Sequence, residues 1–161
     1  MKKFFAEFIG TFVLVLFACG TATVVGCDKG TFDAAYVLTA LAFGLVIVAM
    51  AYSIGNVSGC HINPAVSLGV LLSGGMSVKD FFIYIIAQFA GATAGAAVLG
   101  ALVGFDTSLG ANGLFDGDVV KSLIIEIILT FVFVLVILAV TSKKKYTTRS
   151  EERRVGKECR S

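Results

Sequence analysis

The sequence predicts an all-α membrane protein with four transmembrane helices and one re-entrant half-helix, on three observations. The first is composition: 57% of the 161 residues are hydrophobic, 15% are charged and the mean hydropathy is +0.93, more apolar than a water-soluble domain of this size. The second is the presence of four long apolar runs. The third is a shorter apolar stretch behind Asn63-Pro64 that cannot cross a bilayer.

The runs are roughly Phe4 to Val25, Ala34 to Ser53, Phe81 to Val103 and Ser122 to Thr141, each near the ~20 residues a helix needs to span the hydrocarbon core. They are continuously apolar rather than alternating, which excludes the strands of a transmembrane barrel. The net charge of +2 comes from basic residues scattered between spans, so no nucleic-acid partner is implied. Cys19, Cys27, Cys60 and Cys159 show neither a redox pair nor metal-ligand spacing, and no metal or cofactor is expected. The chain holds no nucleophile paired with a base and no nucleotide loop, so no enzyme is predicted. Lys2-Lys3 ahead of an apolar run ending at Cys19 resembles a lipoprotein signal, but Glu7 inside the run and a later repeat of the same segment argue against cleavage.

Topology follows from charge. With the N-terminus inside, the inner segments hold Lys2, Lys3, Lys79 and Lys143 to Lys145, while the outer ones hold only Lys29 and Lys121, as the positive-inside rule requires. The stretch from Gly104 to Asp118 carries Asp106, Asp116 and Asp118 and no basic residue, which suits an external loop. A repeat carries further information. The segment from Glu7 to Leu16 reappears as Glu126 to Leu135, with the glutamate and the Thr-Phe-Val that follows it in register. Three spans separate the copies, so the second enters the membrane from the opposite side, the mark of an inverted-topology repeat with a path between its halves.

The chemistry concentrates between the second and third spans, in Gly55 to Leu72. Asn63 is a good helix cap and Pro64, the only proline, suits a first helical position. A half-helix running to about Ser73 reaches only mid-membrane. Backbone at that depth is tolerated only in protein or along a water-filled cavity. The half-helix directs its positive end at the midplane, where Asn63 can donate to a passing water while cations are repelled, so neutral molecules pass and ions do not.

Here the residues carry a resemblance. Ser58-Gly59-Cys60-His61-Ile62-Asn63-Pro64-Ala65-Val66-Ser67 resembles the first signature loop of the aquaporin and glycerol-facilitator family. Glu7 with Gly10-Thr11, Glu126, and Gln88 with Gly91 fall in family-like places around it, and the likeness covers about Met1 to Ser142. It implies a passive water channel of the bacterial inner membrane with a cytoplasmic N-terminus, excluding ions and protons and assembled as a homotetramer. Glycerol or another small neutral solute is the alternative substrate, and a non-conducting fragment the alternative object. By the same resemblance Asn63, Pro64 and Ala65 line the pore, and Phe43 takes the aromatic position of the outer constriction, where glycerol channels tend to carry tryptophan. Glu7 and Glu126 are expected to brace re-entrant loops through backbone amides, with Gln88 as a further in-membrane polar residue; a proton-relay role is the competing reading. His61 is either a packing residue or pore-lining, and Cys60 either faces the inner vestibule or is a buried thiol.

The expected organisation is an aquaporin-like inverted repeat, with residues 1–118 as the first repeat, 119–145 as the first helix of the second, and 146–161 as a non-native or disordered tail. Four of six spans and one of two half-helices are expected. The spacing from Glu7 to Asn63, carried onto Glu126, places a second Asn-Pro-Ala beyond Ser161, so no position here matches the family's fifth-span residue or its filter arginine.

Overall fold

The computed structural model describes residues 1–27 and 34–141. The expectations for Lys29, for Lys143 to Lys145 and for the tail 146–161 fall outside them. Four helices are long and apolar enough to cross a membrane. The first span consists of α1 (Lys2–Leu14), a wider π-turn (Val15–Cys19) and α2 (Gly20–Val25) in series. It is followed by α3 (Ala34–Ser58), the short α4 (Pro64–Leu72), α5 (Val78–Val103) and α6 (Val119–Thr141). At nine residues, α4 is about 14 Å long and reaches less than halfway across a hydrocarbon core of about 30 Å.

Three helices begin or end beyond the apolar runs read from the sequence, because polar groups fix their termini. Ser77 Oγ accepts from the Asp80 amide at 3.1 Å and starts α5 at Val78. Asp118 Oδ1 accepts from the Val120 and Lys121 amides at 2.9 and 3.0 Å and starts α6 at Val119. These are ordinary N-caps, invisible to hydropathy. At the other end of α3, helix continues past Ser53 to Ser58, whose side chain is held from another span.

α1 and α5 pack in parallel and form the centre of the molecule. Their register runs from a Lys3–Asp80 ion pair of 2.9 Å, through Glu7 beside Gln88, to Gly20 beside Leu99. The close approach depends on Gly91 and Gly95, both buried. A Cβ at Gly91 would run into the Phe8 carbonyl and the Phe12 nitrogen, and one at Gly95 would lie 2.8 Å from the Phe12 carbonyl oxygen. Small residues at four-residue spacing let two backbones meet, which is how helices associate where lipid removes the hydrophobic drive. α3 runs antiparallel to this pair, with Ile54 against Gly10 and Ser58 against Glu7. α6 meets the half-helix where Gly69 admits Val134 and Leu138, and none of its residues is buried. Its N-terminal Ser122, Ile125 and Glu126 share a cavity with Ala22 of α2, so α6 descends while α1 ascends. The loop between α5 and α6 folds back over the first span, where Gly110, at φ +74°, lies so close to Cys19 that a side chain would collide with its Cβ and carbonyl oxygen.

The α1–α5 contact makes a direct prediction. Gly91→Ala forces backbones apart and is expected to lower stability by about 1–3 kcal/mol or more. Gly44→Ala, at a site with nothing within 4 Å of the added carbon, is expected to stay within about 1 kcal/mol of the parent. Denaturation midpoints of the two variants in detergent check the contrast.

Candidate functional site: a carboxylate beneath the re-entrant loop

The loop from Gly59 to Asn63 is too short to form regular structure and turns through three left-handed residues: Gly59 at φ +90°, Cys60 at +52° and Ile62 at +42°. For Cys60 and the β-branched Ile62 this conformation costs about 1–2 kcal/mol each. The turns aim successive amides the same way. His61 N and Ile62 N donate to Glu7 Oε1 and Oε2 at 2.9 and 2.7 Å. Ser58 Oγ donates to Oε1 at 2.6 Å, and Gln88 Nε2 donates to Oε2 at 2.9 Å. Glu7 is fully buried and all four partners are donors, so both carboxylate oxygens are occupied. A charge is tolerable at such depth only when paired in this way.

A second tier surrounds the first. Tyr84 Oη donates to the Ser58 carbonyl, ending α3 from the side of α5. Ser67, one turn into α4, receives Gln88 Nε2 at 3.1 Å and lies 3.1 Å from His61 Nδ1. The His61 ring meets the Tyr84 ring edge-on, with centroids 5.0 Å apart. Ser58, Ser67 and Tyr84 are the members that sequence reasoning missed. Ser58 and Ser67 stood inside the signature loop, and Tyr84 lies one helical turn before Gln88, a polar pair on one face of an otherwise apolar span.

Asn63 is extended, at φ −151° and ψ 129°, and caps α4 with its side-chain oxygen, which accepts from Ala65 N at 2.7 Å and Val66 N at 3.3 Å. Pro64 occupies the first helical position, where a missing N–H costs nothing. Asn63 Nδ2 makes no hydrogen bond to the described residues. The group that caps the helix therefore offers a free donor at its positive end. Cys60 is half-buried, its amide bonded to Ser58 Oγ at 3.1 Å.

Phe43 stands apart from this cluster. With Tyr36, Thr39, Asn112 and Ser122 it lines a cavity of about 550 Å³ near the C-terminus of α2. Glu126 also lines that cavity and is exposed; the loop it is expected to brace lies outside the described residues. The structure thus brings together Glu7, Gln88, His61, Cys60 and Asn63 at the loop, and Phe43 with Glu126 at the cavity. Among the described residues no three His, Cys, Asp or Glu side chains cluster as a metal site.

Comparison with known proteins identifies the family. The chain is 39% identical over 152 residues to the Aquaporin Z of Brucella melitensis, covering 88% of this chain and 66% of that one. It is 40% identical over 154 residues to the Aquaporin Z of Rhodopseudomonas palustris, covering 89% and 64%. The chain therefore spans a little under two thirds of the length of these relatives. The family model described as Major intrinsic protein matches residues 1–155, and the chain belongs to that family of multi-pass membrane proteins.

Proposed function

We propose that the protein is a passive water channel in which Asn63 hands water across the midplane. The observation that carries this reading is the divided amide of Asn63, whose oxygen caps α4 while its nitrogen is left to donate. A donor at the positive end of a half-helix orients a water through its oxygen and repels cations. That interrupts the chain of hydrogen bonds along which a proton would travel. Glu7 and Gln88 act as positioning residues that hold the loop in its left-handed turns. Pro64 and Ala65 form the first turn at the same level, Cys60 faces the inner vestibule, and Phe43 narrows the outer entrance, with Glu126 beside it. No catalytic step is assigned to any residue.

The same reading places residues 1–118 in one repeat and 119–145 in the start of an inverted second one, with 146–161 outside the membrane fold. Lys2, Lys3 and Lys79 lie at the end of the molecule marked by the Lys3–Asp80 pair, while Asp106, Asp116 and Asp118 lie at the other. By the positive-inside rule the N-terminus is cytoplasmic, and the membrane is the bacterial inner membrane, as organisms of the named relatives suggest. Homotetramer formation is the family's assembly and is proposed with it.

The full chain reconstituted in lipid vesicles is expected to speed osmotic shrinkage several-fold over protein-free vesicles, without a proton leak detectable by an enclosed pH dye. Shrinkage no faster than that of empty vesicles overturns the reading, and faster uptake of glycerol than of water replaces it with the solute channel. In the same assay Glu7→Gln is expected to abolish the added flow. An amide cannot accept from all four donors, and the buried site loses at least about 2 kcal/mol, read from a lowered denaturation midpoint. Mercuric chloride is expected to block flow through the parent and not through Cys60→Ser. Persistence of the block in Cys60→Ser, with its loss in Cys27→Ser, puts the reactive thiol at the outer cavity instead.

A further inference from the structure

His61 bonds through Nδ1 to a serine whose hydrogen-bonding capacity can be counted, and the count decides which ring nitrogen carries the proton. The count begins at Glu7. Gln88 presents one end of its amide to Glu7 Oε2 at 2.9 Å. An amide oxygen cannot face a carboxylate at that distance, so the end is Nε2, and its second hydrogen reaches Ser67 Oγ at 3.1 Å.

Ser67 is fully buried and owns one hydrogen and two lone pairs. Gln88 uses one lone pair. The hydroxyl hydrogen lies in reach of the Asn63 carbonyl at 3.2 Å, one turn back along α4. If it goes there, the remaining lone pair is available to His61 Nδ1 at 3.1 Å, and every capacity of Ser67 is used. If the hydrogen goes to Nδ1 instead, the bond to Asn63 is lost and a lone pair is buried with no donor. The first arrangement makes three bonds and the second makes two, and a buried polar group favours the complete set.

We propose that neutral His61 is held with its proton on Nδ1, and that its bare Nε2 is presented as a fixed hydrogen-bond acceptor to water entering the re-entrant loop. Nε2 makes no hydrogen bond to the described residues and lies beside exposed Gly59, close enough that a Cβ there would sit 3.3 Å away. The Tyr84 ring packs edge-on against the imidazole, with centroids 5.0 Å apart. An acceptor at Nε2 followed by the Asn63 donor takes a water first through its hydrogen and then through its oxygen. Ser67 is the positioning residue that sets the first half of that sequence. Only the identity of the species arriving at Nε2 rests on the water-channel reading.

His61 is the only histidine in the chain, so labelling histidine with nitrogen-15 reports this ring alone. Solid-state spectra of the full chain in lipid bilayers at mildly alkaline pH are expected to show a protonated, pyrrole-type Nδ1 and a pyridine-type Nε2. Magnetisation is also expected to pass from water to Nε2. In Ser67→Ala the Nδ1-protonated population is expected to fall several-fold in favour of the Nε2-protonated form, which an imidazole side chain prefers in water. A parent spectrum with a pyrrole-type Nε2, or with no transfer from water to that nitrogen, overturns the proposal without recourse to any variant. These outcomes are read whether or not the vesicles pass water, so failure of the channel reading and failure of the tautomer assignment remain separable.

Discussion

A membrane interior offers no water to backbone groups that fall outside regular structure, and the turns between α3 and α4 lie in such a place. The Glu7 carboxylate meets that constraint. It collects the His61 and Ile62 amides, the Ser58 hydroxyl and the Gln88 amide into one site. Each party needs the other: the carboxylate would be costly in lipid without four donors, and the loop amides would be costly without an acceptor. The left-handed Cys60 and Ile62 belong to this arrangement, in which the consecutive His61 and Ile62 amides meet one side chain. The half-helix begins where this loop releases the chain, so its position in the membrane follows from a residue on a different span.

Glu7 is placed in turn by the packing of α1 on α5. Its partner Gln88 lies one turn before Gly91, where an added Cβ would run into the α1 backbone. The glycines thus do more than join helices. They set the distance between the carboxylate and the amide that completes its shell, which links an apolar contact to a polar one through the rigidity of two helices.

Much of this was legible in the sequence, and the reason differs from residue to residue. Asn63 and Pro64 announced the start of α4 because capping and first-turn preferences are local. Glu7 stood out because an ionisable residue in an apolar run demands partners. Which side chains it takes was not legible, because Ser58 and Gln88 meet it only through folding, with Tyr84 and Ser67 bonded behind them. The repeat shows the limit most clearly. Val15-Leu16 and Val134-Leu135 occupy matching places in the repeat, yet the first pair lies in a π-turn and the second in regular helix. The π-turn runs on through Phe17-Ala18-Cys19, where the second copy has Val136-Ile137-Leu138, and its Cys19 lies under the Gly110 loop, so both local sequence and tertiary context differ there.

The cap at Asn63 has a consequence for which amino acids this position can hold. Serine, threonine, aspartate and asparagine all begin helices well, and for the stability of α4 alone they are near equivalents. Once Oδ1 is committed to Ala65 and Val66, the free end of the side chain decides among them. Aspartate would keep the cap and leave an anionic acceptor behind it, while serine or threonine would leave almost nothing. Asparagine alone joins an acceptor and a donor on one rigid plane, so fixing the oxygen also fixes the direction of the nitrogen. The helix terminus therefore works as a jig, and a side chain that would elsewhere be free to flip is left with a single orientation.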